Sequence, residues 1–83
     1  MDNKYVVGTP RGMGTHEDVI LFSELLSHKD VATCLFKEGS IVGAGFFYIG
    51  PDGHVKVQGC STSLRVDSRP GIDNILIEKL LGM

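Results

Sequence analysis

The sequence predicts an α+β domain of order β-α-β-β-β-α, a central, mostly antiparallel sheet with a helix on each face. Three observations point there. A Gly-Pro-Asp-Gly turn at residues 50–53 joins two β-favouring runs; in it proline presets φ, aspartate bonds locally and glycine takes the left-handed position. The run before it, residues 41–49, is apolar on both faces, as a strand covered on both sides must be. Helical patterns flank this hairpin on either side.

Taken in order, Lys4-Tyr5-Val6-Val7 forms a short strand ended by Gly8-Thr9-Pro10. Arg11-Gly12-Met13-Gly14 comes next as a flexible stretch whose glycines permit positive φ. The first helix is expected over residues 16–27. Thr15 stands three residues before Asp18, a helix-start pattern, and Val19, Phe22 and Leu26 recur at helical spacing, with Ile20 and Leu25 widening the stripe. Asp30 leads into a strand over residues 31–36, closed by Lys37-Glu38-Gly39-Ser40. In the hairpin, Val42, Ala44, Phe46 and Tyr48 point one way and Ile41, Phe47 and Ile49 the other. Gly43 and Gly45 leave room for close packing. Val55 and Val57 alternate with His54, Lys56 and Gln58, which gives that strand one wetter face. The last helix opens at Ser68-Arg69-Pro70 and stops at Gly82, with Ile72, Ile75, Leu76 and Leu80 as its expected buried stripe.

The 83 residues make a single α+β domain, 1–83, with a thin core that self-association would help. A net charge of -2 with scattered cations argues against nucleic acid as a partner, since nothing neutralises phosphates in number. No apolar stretch reaches the ~20 residues that span a bilayer, and no signal-peptide pattern opens the chain, so no membrane partner is expected. Cys34 and Cys60 are read as reduced thiols of a cytoplasmic protein.

Two segments are candidates for chemistry. His16, in Thr15-His16-Glu17-Asp18, would sit in the positive end of a helix dipole, which favours the neutral, proton-accepting ring; Glu17 and Asp18 pull the other way. Gly59-Cys60-Ser61-Thr62-Ser63-Leu64 offers three hydroxyls and several amides at a strand end, an anion cradle with Arg65 and Arg69 near in sequence. Other chemistries fail on spacing. A cysteine phosphatase loop needs arginine where Val66 stands, and Cys60 reads as a small core or strand-end residue. The histidines and cysteines lack zinc-site spacing, so no metal is expected. Residues 8–14 lack the lysine-serine ending of a P-loop. No serine or cysteine triad is indicated. His28 reads as a favourable charge at the end of the first helix, and His54 as exposed.

Together these segments resemble the Janus/Ocnus, or phosphohistidine phosphatase, family. Lys4-Tyr5-Val6-Val7 resembles its first strand, which a lysine opens. His16-Glu17-Asp18 resembles its catalytic histidine, which opens the first helix with aspartate two residues on. Val57-Gln58-Gly59-Cys60-Ser61 is similar to its strand and phosphate loop. Three departures stand out: the family's arginine after the Gly-rich strand is Phe46 here, its aromatic before the loop serine is Cys60, and the loop-closing glycine is absent. The resemblance implies metal- and cofactor-independent phosphoryl hydrolysis with His16 as general base or nucleophile. Lys4, Gly59, Cys60, Ser61, Thr62 and Ser63 would hold the phosphoryl group, with Arg11 or Arg69 as further counter-charge. The implied partner is a phosphorylated protein or a small phosphate ligand. The competing expectations are a non-catalytic phosphate- or partner-binding module, or a homo-oligomer paired through a sheet edge.

Overall fold

The computed structural model describes residues 3–12 and 14–83; Met13, within the Gly-rich stretch, lies outside the described residues. Its main sheet has four strands, β1 (Asn3–Gly8), β2 (Asp18–Phe22), β3 (Gly43–Ile49) and β4 (Val55–Gln58), in the order β2-β1-β3-β4, and every pairing is antiparallel. A short hairpin of β5 (Cys60–Ser61) and β6 (Val66–Asp67) comes after β4. The helices are α1 (His28–Leu35) and α2 (Asp73–Leu80). The fold is α+β, a mainly antiparallel sheet with one helix on each face.

β1 is the axis of the molecule. Tyr5, Val6 and Val7 are fully buried, and a strand's alternation sends them to opposite faces. Tyr5 and Val7 join Val19, Phe47, Val55 and Ile77 in the core beneath α2. Val6 joins Ala44, Val31 and Phe36 in the core beneath α1, with Leu64 and Val66 packed at its margin. Each buried aliphatic or aromatic side chain contributes on the order of 1.5–3 kcal/mol. Two thin cores on one sheet thus replace a single thick one.

Two segments adopt a different structure from the expected one. Residues 18–22 form a strand, because all five pair with β1 in continuous register, from Gly8↔Asp18 to Lys4↔Phe22. A run apolar at nearly every position suits this buried ladder as well as a helix. The first helix begins instead at His28, where a strand was expected over residues 31–36. Ser27 caps it, its Oγ accepting from the Asp30 N–H at 3.0 Å. Such a cap supplies about 1 kcal/mol, and Val31 and Ala32 then face the core. α2 lies where expected, but its buried face is turned: Asp73 and Ile77 are buried, while Ile72, Ile75 and Leu80 are exposed.

The hairpin forms as its turn dictates, with Gly53 at φ +82° and Gly50 N donating to His54 O at 2.8 Å. Gly43 and Gly45 admit close neighbours. A Cβ on Gly43 would stand 2.4 Å from Asp73 Oδ2, and one on Gly45 2.7 Å from Gln58 O. At each outer edge of the sheet a carboxylate takes a strand amide. Val19 N donates to Asp18 Oδ1 at 2.8 Å, and Val55 N to Glu78 Oε2 at 2.8 Å.

Candidate functional site

The α1 face holds a cluster of polar and aromatic groups that β1, β2, β3 and the helix start assemble together. Cross-strand pairing puts Phe22 and Phe46 on either side of Lys4. His28, the first residue of α1, sits between the two rings, with centroids at 5.5 Å from Phe22 and 5.6 Å from Phe46, both edge-on. His28 is buried. Its Nε2 lies 2.8 Å from Gly45 O. A carbonyl only accepts, so Nε2 carries the proton and Nδ1 keeps the lone pair when the ring is neutral. Nδ1 has no hydrogen-bond partner among the described residues.

Burial lowers the His28 pKa below the usual histidine value of 6.5; the Gly45 carbonyl opposes that shift, and the Lys4 charge adds to it. The ring is therefore neutral near pH 7, and its Nδ1 is a free proton acceptor or nucleophile. Lys4 Nζ donates to Leu26 O at 2.8 Å and stands 6.0 Å from the Phe46 ring centroid. That bond ties the lysine to the segment leading into α1.

Phe46 also borders a neighbouring hollow, which His28 and Lys4 do not line. Phe46, Gln58, Gly59 and Glu24 line this wide, open hollow. Gly59 adopts φ +74°, and a Cβ there would meet the Phe46 ring at 3.1 Å, so glycine lets the start of the 59–64 segment lie against the aromatic floor.

The sequence-predicted residues separate into two groups. Lys4 and Gly59 both border the Phe46 ring that His28 touches. Ser61 is buried, its Oγ 3.3 Å from Ser63 Oγ and accepting from the Leu64 N–H at 3.3 Å. These bonds shape the turn that closes the β5–β6 hairpin. Thr62 and Cys60 are exposed, the latter on a strand and outside the core. His16 is exposed, in the irregular segment before β2. It lines a different hollow, with Leu76, Lys79 and Leu80 of α2, and Leu64 packs under the opposite face. The helix dipole expected at His16 is not there, because a strand comes after it. Arg69 is engaged with Asp73, and Arg11 Nη2 donates to Thr33 O at 3.0 Å. His54 is exposed as expected, 3.2 Å from Glu78.

Sequence reading placed His28 at the end of the first helix as a favourable charge; it instead opens α1 and is buried. Its signal was present: Ser27-His28-Lys29-Asp30 repeats the hydroxyl-histidine-x-aspartate pattern of Thr15-His16-Glu17-Asp18, and only the second copy caps a helix. The features that the resemblance assigns to His16, opening the first helix with aspartate two residues later, are those of His28. Among the described residues no group of three or more histidine, cysteine, aspartate or glutamate side chains is placed to hold a metal. Among the described residues no helix is long and apolar enough to cross a membrane. Compared with protein-family models, curated proteins and solved structures, the chain gives no match.

Proposed function

We propose that the protein is a metal-independent hydrolase of phosphoryl groups, of the phosphohistidine phosphatase type, with His28 rather than His16 as its catalytic base. The observation that carries this reading is the His28 ring, neutral, fixed through Nε2 by Gly45 O, left with an Nδ1 that has no hydrogen-bond partner among the described residues, and within the field of the Lys4 charge. A backbone carbonyl that fixes the tautomer plays the orienting part that a carboxylate plays in a triad.

In the proposed step a water oxygen attacks phosphorus and its proton passes to Nδ1. The bond from phosphorus to the leaving group breaks, and the leaving atom keeps the electron pair. The imidazolium is held by the Gly45 carbonyl until its proton returns to solvent. Lys4 and the amides at the start of the 59–64 segment neutralise the phosphoryl oxygens. The partner is then a phosphorylated protein or a small phosphate compound. Exposed free thiols at Cys34 and Cys60 suit a reducing compartment, and we place the protein in the cytoplasm on that ground.

Hydrolysis of phosphohistidine or phosphoramidate tests the assignment. His28→Ala is expected to lower kcat/KM at least ~100-fold and His16→Ala less than about threefold. Equal activity in both variants removes His28 from the chemistry. Phosphate binding without turnover by the unaltered protein would identify a non-catalytic module instead, the reading that Phe46 favours by standing where an arginine is expected.

A further inference from the structure

We infer that the outer face of α2, with the groove beside it, docks a second copy of this chain in a two-fold contact that pairs Lys79 of one protomer with Glu17 of its partner. The inference stands apart from the chemistry of His28. α2 buries Asp73 and Ile77, and its outward face is apolar where a solvated helix carries polar groups. Ile72 and Ile75 are 51% and 57% exposed. With Lys79 they recur at i, i+3 and i+7, the stripe that packs helix on helix. Leu76 and Leu80 flank the stripe and line a groove of about 270 Å³, together with Val19 and the His16-Glu17-Asp18 segment that enters β2.

The charges decide what covers this face. Lys79 sits within the stripe, so whatever covers the isoleucines must also meet an ammonium. Lys79 and Glu17 are both exposed and line the same groove. Among the described residues neither side chain forms an ion pair or a hydrogen bond. A surface with an apolar stripe, an unpaired cation and an unpaired anion side by side is complementary to itself after a half-turn, as an isologous contact requires. The Lys79–Glu17 pair then forms twice per dimer. At the sheet borders, by contrast, Asp18 and Glu78 occupy strand amides and oppose pairing. α2 has eight residues. A stripe about two turns long is smaller than the ~800 Å² per partner of a standard interface, so the dimer is reversible, with micromolar affinity.

Sedimentation equilibrium from roughly 5 µM to roughly 500 µM tests the contact with the unaltered protein, Lys79→Glu, Glu17→Lys and an equimolar mixture of the two variants. Both side chains are exposed, and melting curves confirm that the variants fold. The unaltered protein is expected to pass from monomer to dimer across this range. Each variant alone opposes like charges twice and is expected to dimerise at least ~tenfold more weakly. The mixture restores both pairs and is expected to dimerise as the unaltered protein does. Repair within one chain cannot produce that result. A monomer throughout for the unaltered protein overturns the inference. So do variants that dimerise with unaltered affinity, which would put the contact elsewhere, and a mixture no stronger than its components.

Discussion

Each face of the sheet buries one ionisable group at a helix start, and the two are treated oppositely. Under α2, Asp73 is fully buried and fully engaged. It accepts from Tyr5 Oη at 2.6 Å, from Arg69 N at 2.9 Å and from Arg69 Nε at 2.9 Å. Arg69 Nη2 also lies 2.8 Å from Oδ1, at an angle that makes it an ion-pair contact and not a hydrogen bond. Burial and then the Asp73 carboxylate push the Tyr5 hydroxyl far above its usual range, so it stays a donor. Under α1, His28 has one bond and one free nitrogen. The difference separates structure from chemistry: a saturated buried charge holds elements together, and an unsaturated one has capacity left for a substrate.

The largest test of this contrast is Asp73→Ala. It strands Arg69 and Tyr5 and is expected to cost about 3–5 kcal/mol in urea unfolding. A loss under about 1 kcal/mol would mean that the α2 cluster does not hold the fold. Gly43→Ala attacks the same cluster from the sheet side, since its Cβ would press on both carboxylate oxygens of Asp73. The expected cost is about 1–3 kcal/mol, read as a lower urea midpoint with an unchanged m-value.

The smallest effect is on the α1 face and lies in the pH dependence. The folded-state pKa of His28 is depressed below 6.5, so under that pH the unfolded chain binds a proton that the folded chain refuses. Stability therefore falls as pH drops from 6.5 toward the folded value and is flat in this contribution above 6.5. His28→Asn is expected to flatten the stability profile across that window. An unchanged slope would show that the ring is not held neutral. For the proposed hydrolysis the same sign is expected to put the acid limb of kcat/KM below pH 6.5.

Much of the sheet was legible because local chemistry dictated it. Gly53 could only serve its turn at positive φ, and Gly43 and Gly45 marked close approaches that Asp73, Gln58 and Ser68 fill. The first helix was not legible, because two segments carried the same opening pattern. The residues C-terminal to each copy decided the outcome. Val19-Ile20-Leu21-Phe22 is of strand length and offers apolar groups to both faces, and β1 supplied the partner. Val31-Ala32 with Leu35-Phe36 pairs apolar residues at one-turn spacing behind a serine cap. Only long-range pairing separates these cases. Lys4 lies on a strand that was legible, whereas His28 opens a helix that was not.

The carboxylates on the two outer strands bear on how the protein behaves in a crowd. A bare strand edge recruits further chains by offering amides in register, and extended assemblies grow by repeating that addition. Here Asp18 occupies an amide of β2, and Glu78, reaching from α2, occupies one of β4. An incoming strand must displace a carboxylate at either border and place its own carbonyl beside a negative charge. One acidic side chain per border thus opposes the addition of a fifth strand to the four.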